Sequence, residues 1–161
     1  MIKNISNLGD TALYCDFGNE VNKSINSQVI KYFKTIKEKK VKGINNLTPS
    51  YNKLIISYDL KQTNFNEVKK NIENLNVETS LKLNTKKIEI PVCCHESLSL
   101  DVKRLEKILN LSRDKILENF LNKEYFCYMT GFIAGMPFLG DLNENMRAQR
   151  LETPRVKVPK G

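Results

Sequence analysis

The chain has 161 residues, 40% of them apolar and 27% charged, which suits a folded protein of one ordinary domain or two small ones without a disulfide staple. No apolar run reaches the roughly 18 residues of a membrane span, and residues 1–6 lack the apolar core of a secretion signal, so a cytoplasmic protein with no membrane partner is expected. The net charge of +8 comes mainly from lysines scattered among Glu and Asn, with only five arginines, which argues against a nucleic-acid partner.

The predicted elements run in chain order. Residues 11–17 alternate in period two and read as a strand, followed by a turn at Gly18 and Asn19. Val21, Ile25, Val29, Ile30, Phe33 and Ile36 share one helical face, with Asn22 as N-cap, a basic last turn and Gly43 as the stop. Residues 53–59 form the second strand. Asn64 caps a second helix, with Glu67 at capping-box spacing and an apolar stripe of Phe65, Val68, Ile72 and Leu75. Residues 87–93 read as a third strand that Pro91 confines to a sheet edge. Residues 99–110 make a third helix, with Val102, Leu105, Ile108 and Leu109 inward. Ser112 caps a fourth, carrying Ile116, Leu117, Phe120 and Leu121.

The β-α-β-α-β order with short connections predicts an α+β fold, one helical layer over one sheet as in ferredoxin-like proteins, over residues 1–90. Residues 91–125 are expected to be an edge strand and helical connector.

Cys15, Cys93, Cys94 and Cys127 are expected to be reduced and mostly buried, because adjacent Cys93 and Cys94 suit no disulfide framework. There is no CxxC pair, and His95 is the chain's single histidine. It reads as structural, and no metal site is expected.

From Phe126 the character changes. Residues 126–130 read as a strand, and residues 131–140, GFIAGMPFLG, place three glycines and a proline among aromatic and aliphatic side chains. Such an apolar loop either seals a junction between elements or serves binding. Residues 147–161 then hold three of the five arginines with two prolines that impose extended backbone. Arg155, Lys157 and Lys160 are candidates to meet a carboxylate or phosphate.

These segments carry a family resemblance. Residues 128–140, YMTGFIAGMPFLG, resemble a signature close to YMLGFxPGFPYLG, and residues 153–161, TPRVKVPKG, resemble TPRxxVPxG. Residues 9–18 resemble the opening GDxALxxxFG, and Ile90-Pro91-Val92-Cys93 resembles IPVCY, with Cys94 where Tyr is common and Ala134 where Pro is common. The residues around Pro49 to Leu54 resemble the strand that follows.

By these motifs the chain is similar to the KipI-like family, which comprises the B-type subunits of 5-oxoprolinase and allophanate hydrolase subunit 1. The resemblance implies that residues 126–161 begin a cyclophilin-like β-barrel. The family continues past position 161, so a truncated chain is expected. The resemblance also implies a KipA-like partner (the C-type 5-oxoprolinase subunit), a third subunit, and ATP with Mg. On that reading Arg155 and Lys160 are catalytic. Gly131, Phe132, Gly135, Pro137, Phe138, Gly140 and Lys157 bind substrate. The activity implied is ATP-driven opening of 5-oxoproline to glutamate in a complex, with the chain inactive alone. Kinase inhibition by protein binding, and carboxyl transfer in a urea carboxylase-type system, are the alternatives the resemblance leaves open.

Overall fold

A computed structural model describes residues 1–78 and 85–157. Its elements are β1 (Asn4–Asn7), β2 (Ala12–Asp16), α1 (Lys23–Lys39), β3 (Ile44–Pro49), β4 (Lys53–Tyr58), α2 (Phe65–Glu73), α3 (Val102–Leu109), α4 (Arg113–Leu121), β5 (Phe126–Thr130) and β6 (Pro137–Gly140). A short 3-10 turn at Glu144–Met146 follows.

The chain divides into two compact units. The first comprises the described residues of Met1–Thr85 together with Cys127–Leu139. The second comprises Lys86–Phe126 with the described residues from Gly140 onward. The hairpin β5–β6 thus falls mainly in the first unit, where the sequence placed borders at 90 and 125.

In the first unit β1 to β4 form an antiparallel sheet in the order β1-β2-β4-β3. Register places Leu13 opposite Ile56 and Cys15 opposite Leu54, so the period-two pattern of both central strands presents one apolar row to one face. That row packs on Val29 and Ile36 of α1 and Val68 and Ile72 of α2 to make a single core. Full burial of each such aliphatic side chain contributes about 1.5–3 kcal/mol. Both helices start as the sequence predicts. The side chains of Asn22 and Asn64 accept from the backbone N–H groups of Ile25 and Glu67.

The predicted β-α-β-α-β order is corrected to β-β-α-β-β-α. Strands β1 and β3 escaped the sequence reading because each is an edge. β1 has one buried side chain, Ile5, and β3 (INNLTP) has none fully buried. An edge strand's outer rim faces water, so its residues need not alternate. Helix α1 ends earlier than Gly43. Its left-handed cap is Lys40, at φ 47°. Gly43 is instead required by crowding, since a Cβ there would lie 2.5 Å from Cγ2 of Thr63, at a φ of +79°. Val21 lies before the helix and is exposed.

The second unit departs further from expectation. Residues 87–93 are not a strand, and Ile88, Ile90 and Val92 are exposed. Among the described residues no strand runs beside them to take their backbone groups. Ile108, Phe120 and Leu121, predicted to face inward, are exposed as well, and Ile116 and Met146 are the buried apolar residues of this unit among those described. The cysteines also differ from expectation. All four are free, but only Cys15 is buried, where desolvation pushes its thiol up to about 12. Cys93 and Cys127 are exposed, on an irregular segment and on a two-stranded hairpin that leaves one face open.

Candidate functional site

The first unit's candidate is the hairpin loop. Among the described residues strands β5 and β6 pair only with each other, and the expected ten-residue loop is shortened because Pro137–Gly140 is itself strand. The backbone N–H of Gly131 donates to the carbonyl of Met136 (3.1 Å), and Met136 N–H donates to Ile133 (3.2 Å). Gly135, third in the turn 133–136, has φ 81°, a place suited to glycine. Phe132 sits at φ 69° and is 90% exposed, and Ile133 beside it is 63% exposed. A bulky residue in the left-handed region costs roughly 1–2 kcal/mol, and here no burial offsets it.

Behind this tip the hairpin is anchored. Phe138 meets Tyr51 edge-on at 6.3 Å, and Tyr51 stacks at a tilt on buried Tyr128 at 5.6 Å. Of the predicted binding residues, then, Phe138 is a packing anchor, Gly131 and Gly135 shape the loop, and Phe132 is its exposed tip. Pro137 and Gly140 open and close β6.

Two asparagines that the sequence reading passed over hold the surroundings. Asn26, 2% exposed, donates from Nδ2 to the carbonyls of Tyr51 (2.9 Å), Tyr128 (3.1 Å) and Ser50 (3.2 Å). Asn52 donates to the carbonyls of Gly18 (2.8 Å) and Glu20 (3.0 Å). The available signal was a carboxamide three residues before Val29 on the apolar stripe of α1, where burial demands satisfied partners. An apolar groove of about 420 Å³ lies between α1, β3 and β5, with Ile30, Phe33, Leu47 and Tyr128 among its walls.

The second unit holds the predicted cationic residues. Arg155 makes a bidentate pair with Asp101 (3.0 and 2.7 Å), and Arg104 approaches the same carboxylate at 3.5 Å. The hydrogen bond from Arg155 is the main cause that lowers the Asp101 carboxyl below its usual range, and Asp101 in turn raises Arg155. Asp101 makes no side-chain cap to α3, and its backbone is helical (φ −97°, ψ −10°) where a capping residue is extended. Arg104 also donates to the carbonyl of Gln149 (3.1 Å). Lys157 is exposed, and Lys160 lies outside the described residues. His95 accepts from the N–H of Ser97 and meets its hydroxyl at 2.8 Å, an arrangement that organises its own turn. Loop residues 131–139 belong to one unit and Arg155 and Lys157 to the other.

The implied ATP and magnesium do not fit these residues taken alone. Among the described residues no three His, Cys, Asp or Glu side chains cluster to hold a metal ion. The chain has no GxxxxGK[ST] loop, and Arg155 is committed to Asp101. No helix among the described residues is long and apolar enough to cross a membrane.

The solved structure of the protein TTHA0988 superposes with a TM-score of 0.77 at 24% identity, over 92% of this chain and 29% of that one, a likeness of fold. This chain therefore spans under a third of that protein. The B-type 5-oxoprolinase subunit of Bacillus subtilis is 31% identical over 98% of this chain and 70% of its own length. That of Haemophilus influenzae is 38% identical over 46% of this chain and 35% of its own. Residues 3–161 match the family described as carboxyltransferase domain, subdomain C and D, and with this match the chain belongs to that family, which the motifs at residues 128–140 and 153–161 pointed to.

Proposed function

We propose that this chain is a subunit of an ATP-dependent 5-oxoprolinase complex that opens the lactam of 5-oxoproline to glutamate in the cytoplasm, and that it is inactive alone. The observation that carries this reading is the likeness to the Bacillus subtilis 5-oxoprolinase subunit along nearly the whole chain. The proposed partners are a KipA-like subunit and a third subunit. ATP and its magnesium ion are assigned to the assembled complex.

Within this chain the loop at Gly131, Phe132, Gly135, Pro137, Phe138 and Gly140 shapes the wall against which substrate lies, with Phe132 as the apolar contact. As a separate proposal for residues 155–160, taken without the loop, Lys157 adds positive charge for an anionic substrate, and Arg155 and Lys160 supply cations where negative charge develops. A substrate role for Arg155 requires its bidentate pair with Asp101 to open, since both arms of its fork are engaged there. The finer fold features belong to the same proposal. They are a ferredoxin-like fold for the sheet of the first unit, with the edge place beside β2 filled by β1, and the start of a cyclophilin-like barrel at residues 126–161, of which Cys127–Leu139 belongs to the first unit.

The test is reconstitution with the other two subunits, reading 5-oxoproline-dependent ATP hydrolysis and glutamate release. The expected result is turnover by the assembly and none by the chain alone. Turnover by the isolated chain, or none by a correctly assembled complex, overturns the reading. The match to a carboxyltransferase domain favours one second reading, carboxyl transfer, for which a biotinylated carrier would be the donor in a urea carboxylase-type system. Carboxyl transfer to a urea by the assembly would select that reading instead.

A further inference from the structure

We infer that Asn26 is a positioning residue of the β5–β6 hairpin, and that α1 helps set the place of the exposed loop through this side chain. A carboxamide NH2 carries two hydrogens, and here it faces three carbonyls drawn from two segments. Ser50 and Tyr51 form the turn between β3 and β4, and Tyr128 lies in β5. The contact to Tyr128 spans 102 positions of sequence and is buried. β5 has no strand partner in the four-stranded sheet, so backbone pairing does not fix it there. The ring contacts of Tyr51 with Tyr128 and Phe138 are broad and tolerate sliding, whereas hydrogen bonds to three carbonyls specify a direction. The Ser50 hydroxyl also donates to the Met129 thioether (3.4 Å), a weak acceptor, so the amide is the stronger of the two polar ties that turn a loose apolar contact into a defined seat for residues 128–138.

A role in the activity rests on the reading proposed above; the role in positioning does not. Asn26→Asp keeps the shape but replaces the two donors with acceptors, and Asn26→Ala removes both. Amide hydrogen exchange is followed in the full chain and divided by the wild-type value. Loss of buried donors is expected to speed exchange of residues 127–139 by about tenfold or more, with the strands β1, β2 and β4 within about twofold of wild type. Unchanged exchange at 127–139 or equal acceleration throughout the sheet overturns the inference. Should either variant fail to fold, Tyr51→Leu provides the control. It removes the ring contacts and keeps the backbone carbonyl, so hairpin protection should survive it, and loss of protection to the same degree as a donor loss would assign the seat to the rings. In the reconstituted complex, a variant with a loosened hairpin and undiminished turnover removes the loop from the site and leaves the positioning role standing.

Discussion

The Asp16 carboxyl shows how much local chemistry one end of β2 carries. It accepts from Lys53 and from the backbone N–H of Gly18, and the bond from Lys53 is the chief cause holding it below its ordinary range. A depressed carboxyl stabilises the fold at pH above its unfolded value, and that contribution is lost as pH falls through the lower folded one. Asp16→Asn should therefore cost about 1 kcal/mol at neutral pH and progressively less below about pH 4, read as urea midpoints at the two conditions. A difference that stays constant with pH would count against the ion pair. At the thiols, a disulfide-exchange reagent should modify Cys93 and Cys127 in the native chain and reach Cys15 only on unfolding, because Cys15 is both enclosed and held as the thiol. Phe132→Gly should stabilise the chain by about 1 kcal/mol, by relieving the left-handed backbone, and lower turnover of the assembled complex. A destabilised variant would show that the ring is packed after all. The glycines of this loop were legible as signals of unusual backbone, whereas the left-handed Phe132 was not, since nothing in its residue type announces it.

At the scale of elements, legibility tracked burial. The central strands and both sheet-covering helices stood out because each has one face inside and so shows a clean period. The caps at Asn22 and Asn64 were readable because capping is local chemistry, and replacing either by Ala should cost about 1 kcal/mol in urea unfolding. The edge strands β1 and β3 were silent for the opposite reason. Residues 87–93 gave a false signal, since alternation marks a surface that needs covering without saying that this segment finds a partner. The candidate site was half legible. Its loop lies where composition placed it, but its anchors, Asn26 and Tyr51, come from elements far away in sequence. Arg155 was found by its motif, while its partner Asp101 had no mark to distinguish it from a surface carboxylate.

For the whole molecule, the two units differ in how much apolar surface each encloses. The first holds a continuous cluster from Ile5 to Ile72, and the second leaves Ile88, Ile90, Val92, Ile108, Phe120 and Leu121 exposed. Opening free energy follows buried apolar area, so backbone amides of residues 86–126 should lose exchange protection at lower urea than those of β2 and β4. Coincident loss in both would show that they unfold as one.

The chain order of the sheet also bears on how the protein is made. All four of its strands and both covering helices lie within the first 73 residues, so a nascent chain can close this sheet while later codons are still being read. The hairpin that Asn26 receives arrives about a hundred residues after it, and until then the carboxamide has only the carbonyls of Ser50 and Tyr51 to meet, with the third acceptor not yet synthesised. A ribosome pausing between the two would hold a sheet with an unfilled socket.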